Sequence, residues 1–283
     1  MKIETIAVPT DFSESSICAL KFAAGMAKKL GAAIKLVHVY QRPYTTTAYN
    51  GGLSAAVDPQ MHKEIRQEII NELRKISEND FLEGVKVIAR LITDIPAWKM
   101  YEELDNEDAD IIVMGTHGMT GLLHGGLIGT NTERVIRHSP MPVISVPDGV
   151  TFNGINHLLF ATNFQEGVDE FYKHAVDLAK AFDADLEVAV INTQDSYQTT
   201  KNANENYEVL KDKVPYEKSK LVIYNEDSVT EGIRDLSLKH HIDLIMMMTH
   251  GRTGFRHFLQ GSITEDVSAT VKTPVMALKT QNS

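Results

Sequence analysis

The sequence has a single cysteine, Cys18, so it cannot form an internal disulfide. A chain without disulfides is typical of a reducing compartment, which predicts a cytoplasmic location. No run of about 18 apolar residues occurs, so we expect no membrane-spanning helix and no membrane as a partner. The first residues, MKIETIAVPTDF, lack the basic segment and apolar run of a signal peptide and are expected to start the fold directly.

Positive charge is also scarce, with 28 Lys and Arg against 38 Asp and Glu and a net charge of −10. The basic residues are scattered, so we expect no nucleic acid as a partner. Eleven histidines are present, but no His, Cys and carboxylate set has the spacing of a metal site. His240 and His241 are adjacent, and adjacent histidines on a helix point to different faces. We therefore expect no metal held by protein ligands.

The glycine-rich motifs of the common nucleotide-binding folds are missing as well. Neither the Walker pattern ending in Gly-Lys-Ser/Thr nor a clean GxGxxG is present. No lysine is placed to hold a terminal phosphate, which argues against fast phosphoryl transfer. The sequence therefore predicts at most a weak ATPase, and it indicates no catalytic residue.

What the sequence does contain is an internal repeat. Residues 6–40 align without a gap on 158–192, and residues 109–146 align on 242–278 with one extra residue in the first copy. Apolar strands such as IIVM and LIMMM are typical of parallel sheets covered by helices on both faces. The pattern predicts two doubly wound α/β domains, each with a five-stranded parallel sheet in the order 3-2-1-4-5. Their expected ranges are 1–148 and 155–280, joined by a linker at 149–154.

The periodicity also predicts the elements of each copy. In the first copy we expect strands at 3–9, 33–40, 85–91, 110–115 and 142–146 and helices at 14–30, 60–78, 95–106 and 130–138. In the second copy we expect strands at 157–162, 185–191, 219–224, 242–248 and 274–278. The first copy is longer by about 19 residues, mostly in 41–60, which is either a surface excursion or a flap over a site at the strand ends.

Ligands of doubly wound sheets bind beyond the carboxyl ends of the strands, where the strand order reverses. In the first copy this brings together residues 9–12 after the first strand and residues 115–118 after the fourth. Glycines let backbone N–H groups approach phosphate oxygens, and a helix starting at Thr130 offers its N-terminus to the same oxygens. Asp11 has two interpretations: a hydrogen-bond acceptor for ribose hydroxyls, or a cap for the helix that starts near Ser13.

The segments PTDFS, HVY, MGTHGMTG, GTNTERV and MPVISVP resemble, in the same order, the landmarks of universal stress proteins, and the resemblance covers nearly the whole chain. It implies ATP or ADP as the ligand, with Mg²⁺ or Mn²⁺ as a candidate ion held through the phosphates. Adenine would lie on the backbone around Val39, ribose at Asp11, and the phosphates among the glycines. The implied first-domain site is Pro9, Thr10, Asp11, Val39, Met114, Gly115, Gly118, Gly129, Thr130 and Asn131.

Both copies depart from the family pattern Gly-x-x-Gly, nine residues, Gly-Ser/Thr. In the first copy ten residues, not nine, separate Gly118 from Gly129. In the second copy the spacing is intact, but Met248 replaces the first glycine and Asn163 replaces the aspartate. We therefore expect the first copy to be the better nucleotide site. The implied second-domain site is Thr162, Asn163, Ile191, Gly251, Gly261, Ser262 and Ile263.

The sequence thus predicts a cytoplasmic stress-response protein that binds an adenine nucleotide as a sensor or regulatory module, with slow or no hydrolysis. The alternative is an interaction or scaffold protein that keeps the fold without a nucleotide. Members of the family dimerise through the last strand, so the resemblance implies that MPVISV and TPVMAL pair within this chain as a pseudo-dimer. A further homodimer stays open.

Overall fold

The computed structural model describes residues 1–41, 59–105, 108–117, 128–249 and 263–279, and all structural statements concern these residues. The predicted flap and the candidate residues Gly118, Gly251, Gly261 and Ser262 lie outside them, apart from the ends of the flap segment. The strands of the first copy are β1 (Thr5–Pro9), β2 (Ala33–Tyr40), β3 (Val87–Thr93), β4 (Ile111–Gly115) and β5 (Val143–Val146). Its helices are α1 (Glu14–Leu30), α2 (Pro59–Ser77), α3 (Met100–Asp105) and α4 (Thr130–His138).

The second copy repeats this order of elements. Its strands are β6 (His157–Ala161), β7 (Asp185–Asn192), β8 (Ser219–Asn225), β9 (Leu244–Thr249) and β10 (Val275–Lys279). Its helices are α5 (Val168–Phe182), α6 (Thr200–Lys213), α7 (Val229–Lys239) and α8 (Ile263–Thr270).

The ten strands of the described residues form one sheet in the order β3-β2-β1-β4-β5-β10-β9-β6-β7-β8. Each copy therefore has the predicted order 3-2-1-4-5, and the strands within each copy pair in parallel. The two copies join through β5 and β10, which pair antiparallel. The expected pairing of the two last strands is present in the structure.

The sheet carries one shared core and two separate ones. Helices α1 and α5 cover one face, where residues of both copies, such as Phe22 and Phe171, belong to a single cluster. On the opposite face each copy has its own cluster, with Leu104 and Val135 in the first and Ile233 and Val267 in the second. The two copies are therefore packed together on the α1 and α5 face of the sheet.

The linker contributes to the shared core, which the sequence pattern does not indicate. The Phe152 ring lies 5.3 Å from the Phe22 ring on α1 and 6.2 Å from the Phe182 ring on α5. A Cβ atom at Gly25 would lie 2.2 Å from the Phe152 ring, so the glycine leaves the room that the ring fills. The linker is thus a packed connection between two helices.

Several local predictions are wrong in detail, including the strands at 85–91 and 242–248, which the structure places at Val87–Thr93 and Leu244–Thr249. The predicted helix at 95–106 is a short 3₁₀ turn at Ala97–Lys99 followed by α3, because Asp94 takes a left-handed φ of 68° and Pro96 precedes the turn. The first strand begins at Thr5, where the amide N–H groups of Glu4 and Thr5 bind the Asp110 carboxylate. His240 and His241 follow the last residue of α7 and do not lie within a helix.

Candidate functional site

The turn after the first strand is built the same way in both copies. In the first, the Thr10 amide donates to the Val37 carbonyl at 2.7 Å, and the Thr10 hydroxyl accepts from the Phe12 amide at 3.0 Å. In the second, Thr162 makes the equivalent bonds to Ala189 and Phe164 at 2.9 and 3.0 Å. Both phenylalanines have a left-handed backbone, with φ of 65° and 57°. The duplication has therefore preserved a strained turn at the carboxyl end of the first strand of each copy.

Asp11 is held by the start of α1. Its carboxylate accepts from the Ser13 amide at 3.1 Å and from the Ser13 hydroxyl. Ser13 is the N-cap residue, since its side chain accepts from the Ser16 amide. The interpretation of Asp11 as the helix cap is therefore wrong: Asp11 orients the residue that caps the helix. The carboxylate lies half-buried at the end of β1.

His38 adds a polar group that belongs to none of the sequence motifs. Its ring stacks on Phe12 at 4.6 Å with an interplanar angle of 17°, and its Nδ1 donates to the Thr10 carbonyl at 2.7 Å. Burial lowers the pKa of His38, while the Thr10 carbonyl and the Asp11 charge oppose the change. A histidine between two valines, Val37 and Val39, was the signal available in the sequence.

Val39 presents backbone groups beyond the end of β1. The pairing of β1 with β2 ends at Pro9 opposite Val37, whose carbonyl faces β1. In a strand, the backbone groups of alternate residues point to the same neighbour, so the amide and carbonyl of Val39 point past the end of β1. Ile191 stands in the same relation to β6 in the second copy. These groups can pair with the edge of a planar base.

The end of β4 is joined to the start of α4. The Gly129 amide donates to the Thr116 carbonyl at 2.7 Å, and the Thr132 hydroxyl donates to the Gly115 carbonyl at 2.9 Å. Gly129 is the N-cap of α4 and has no side chain to cap the first turn, and Thr130 and Asn131 are exposed. Among the described residues, no side chain caps the N-terminus of α4, which lies beside the end of β4 and has the character of an anion-binding helix start.

Gly115 permits a close approach between α1 and β4. A Cβ atom there would lie 2.3 Å from the Ser15 hydroxyl and 2.8 Å from the Ser15 carbonyl oxygen. In the second copy Met248 is equivalent to Gly115 and Gly167 is equivalent to Ser15. Helix α5 also begins two positions later in the repeat than α1, at Val168. Met248 packs on the shared core there, so the later helix start accommodates the larger side chain.

The second site differs from the first at the residue that replaces Asp11. Asn163 is exposed, and its carbonyl accepts from the Gln198 side chain at 2.6 Å. Gln198 in turn exchanges backbone hydrogen bonds with the Asn192 side chain at 2.9 and 3.1 Å. Ile191 is buried, and Ile263 is the first residue of α8. The loop after β7 thus fixes the second turn, a role that the sequence does not indicate.

Thr116, which follows β4, and its repeat equivalent Thr249, the last residue of β9, have structural contacts. The Thr116 amide donates to the Val146 carbonyl at 3.1 Å, and the Thr249 hydroxyl donates to the Leu278 carbonyl at 3.3 Å. Both tie the fourth strand of a copy to its last strand, which favours packing over ligand contact. His117 lies 3.2 Å from the Asp148 carboxylate, and its repeat equivalent, His250, lies outside the described residues.

The described part of the chain has neither a membrane-spanning helix nor a cluster of metal ligands. None of its helices has the length and apolar character needed to cross a membrane. No three His, Cys, Asp or Glu side chains within it converge as metal ligands.

Comparisons with known proteins agree with the repeat. The model of the universal stress protein family matches twice, at residues 2–147 and 154–279. A universal stress protein of Methanocaldococcus jannaschii is 34% identical over 142 residues, which cover 50% of this chain and 80% of that protein. A universal stress protein of Synechocystis is 23% identical over 299 residues, and the match covers 98% of this chain and 100% of that protein.

A solved structure shows the same fold over the full length. The crystal structure of a universal stress protein from Archaeoglobus fulgidus superposes with a TM-score of 0.76 at 20% identity and covers 99% of both chains. Because the family model matches both halves, this chain belongs to the universal stress protein family and carries two of its domains in tandem.

Proposed function

We propose that this protein binds an adenine nucleotide, ATP or ADP, in its first domain and works in the cytoplasm as a sensor or regulatory module of the stress response. The observation that carries the proposal is the N-terminus of α4, whose N-cap Gly129 has no side chain and donates a hydrogen bond to the Thr116 carbonyl just after β4. Backbone N–H groups and the positive end of a helix suit phosphate oxygens.

The neighbouring groups suit the rest of the nucleotide. The amide and carbonyl of Val39 point past the end of β1 and offer one donor and one acceptor to a base edge. The Asp11 carboxylate is oriented by Ser13 and offers acceptors to ribose hydroxyls. A divalent ion would be held through the phosphates. Because the site has no assigned general base, the proposal includes slow hydrolysis at most.

The second domain is proposed as the weaker site. The amide of Asn163 is a poorer acceptor than a carboxylate, and its backbone is engaged by Gln198. If the second domain has lost its ligand, it serves as the partner on which the first domain is packed. The competing proposal is that the protein binds no nucleotide and acts as an interaction or scaffold protein with the same fold.

The first experiment is to denature freshly purified protein and to analyse the released small molecules by chromatography and mass spectrometry. Retained ATP or ADP near one per chain supports the proposal. Asp11→Ala should abolish retention, while the matched change Asn163→Ala in the second domain should not. If nothing is released, and calorimetry with ATP and magnesium at up to millimolar concentration detects no binding, the interaction function replaces the nucleotide function.

A further inference from the structure

The helices α4 and α8 are tied together across the two domains. Arg137 of α4 donates from Nε to Glu265 Oε1 at 3.1 Å and from Nη2 to Glu265 Oε2 at 2.7 Å. The Glu265 side chain is only 8% exposed, whereas that of Arg137 is 47% exposed. The pair is thus bidentate, and the carboxylate is its buried partner.

The same guanidinium also serves an acid on its own helix. Arg137 Nη2 lies 3.0 Å from Glu133 Oε1, one turn earlier on α4. Glu133 and Glu265 are equivalent positions of the repeat, since GTNTERV aligns with GSITEDV. The repeat equivalent of Arg137 is Ala269, so the single guanidinium of Arg137 pairs with both Glu133 and Glu265.

Each acid lies in the first turn of its helix, where it competes with a bound anion. Glu133 belongs to the first turn of α4 and Glu265 to the first turn of α8, followed by the exposed Asp266. A carboxylate four residues after Gly129 is about 6 Å along the axis from the start of α4. At that range an unpaired negative charge weakens the binding of a phosphate group.

We propose that Arg137 is a positioning residue shared by both candidate sites, which pairs with Glu133 and Glu265 and so keeps the start of α4 and of α8 receptive to phosphate groups. The inference rests on the proposed function, because it concerns the same nucleotide. It assigns the phosphate affinity of the second domain to a residue of the first. It also gives the tandem arrangement a role, since α8 lacks a basic residue at position 269.

The test compares the affinities of ATP, ADP, AMP and adenosine by calorimetry at low ionic strength. Arg137→Met should weaken ATP about threefold to tenfold, ADP and AMP progressively less, and adenosine less than about twofold. Arg134→Met is the matched control: it removes the same charge from the same helix, where the guanidinium lies over Trp98. It should change all four affinities by less than about twofold.

Two further variants separate charge from folding. Arg137→Met with Glu265→Gln leaves no buried unpaired carboxylate but keeps Glu133 uncompensated, so ATP binding in the first domain should stay weak. Adding Glu133→Gln to this pair should restore ATP affinity to the wild-type level. The inference is overturned if Arg137→Met matches Arg134→Met, if adenosine weakens as much as ATP, or if the triple variant stays weak. A wild-type protein that binds none of the four ligands refutes the proposed function instead.

Discussion

Ile144 and Met276 lie opposite each other where β5 pairs with β10, and they are equivalent residues of the two copies. The pairs on either side are related by the same symmetry: Val143 lies opposite Ala277, and Ser145 lies opposite Val275. Val275 is the repeat equivalent of Val143, and Ala277 is that of Ser145. The register is therefore that of a two-fold symmetric contact, made here within one chain. It also removes two apolar strand edges that would otherwise be exposed to pairing with other chains.

The first prediction concerns this junction. Met276 is fully buried, so Met276→Asp places a charge in a core without a partner. We expect the free energy of unfolding to fall by about 3 kcal/mol or more in urea titrations. Met61→Asp is the control, because Met61 is 54% exposed, and it should cost less than about 0.5 kcal/mol. Equal effects of the two substitutions would mean that the β5–β10 contact does not contribute to stability.

The second prediction concerns the linker. Gly25→Ala places a methyl group within 2.2 Å of the Phe152 ring, so the ring or helix α1 must shift. We expect a loss of about 1–3 kcal/mol in the free energy of unfolding. Phe152→Ala should be destabilising in its own right, by about 1–3 kcal/mol, because the ring is half-buried against the shared core.

The double variant separates the contact from general damage. Once Phe152 is truncated, the added methyl group at residue 25 has space, so the two losses should not add. Additive losses would show that Gly25 and Phe152 do not interact. The measurement is urea unfolding of the four proteins of the cycle.

The fold was predictable because it follows from local sequence patterns, namely the apolar strands and the internal repeat. Apolar strand residues such as Val8 and Val113 are buried, and the same strand order occurs in both copies of the repeat. The glycine-rich positions at the ends of β4 and before α4 were also predictable, since such positions follow from the topology. Packing partners were not predictable, because nothing in the sequence around Phe152 indicates that its ring contacts Phe22 and Phe182.

The polar contacts of the sites show the same limit. Gln198 reaches Asn163 across 35 residues and Arg137 reaches Glu265 across 128, so each pair becomes visible only when the chain is folded. His38 was within reach of a sequence argument, because a histidine between apolar residues of a strand is partly buried and needs a partner. Its partner, the Thr10 carbonyl, is a backbone group that no residue type reveals.

The third prediction is a pH dependence. Burial places the pKa of His38 in the folded protein below that of the unfolded chain, so the unfolded chain takes up a proton first as the pH falls. Stability from this residue is full above the unfolded pKa of about 6.5 and is lost as the pH drops through the lower folded value. His174, whose pKa is also lowered by burial, contributes with the same sign.

The variant His38→Gln tests whether His38 causes part of this pH dependence, since the variant leaves His174 in place. Urea unfolding from about pH 7.5 down to about pH 5 should show a shallower decline in the variant than in the wild type. The difference between the two curves isolates His38. Parallel curves would contradict the assignment, and a histidine NMR titration would then show an ordinary pKa for His38.

The last prediction concerns the approach of α1 to the end of β4. Gly115→Ala directs a Cβ atom to within 2.3 Å of the Ser15 hydroxyl and 2.8 Å of its carbonyl oxygen, and the carbonyl belongs to the helix backbone and cannot rotate away. We expect a loss of about 1–3 kcal/mol in the free energy of unfolding. Ser15→Gly, which copies the second domain, should recover only the part due to the hydroxyl. Full recovery of the free energy of unfolding would show that the Ser15 side chain alone sets the distance between α1 and β4. If Gly115→Ala causes no loss, the start of α1 can move away from β4 to make room for the added methyl group.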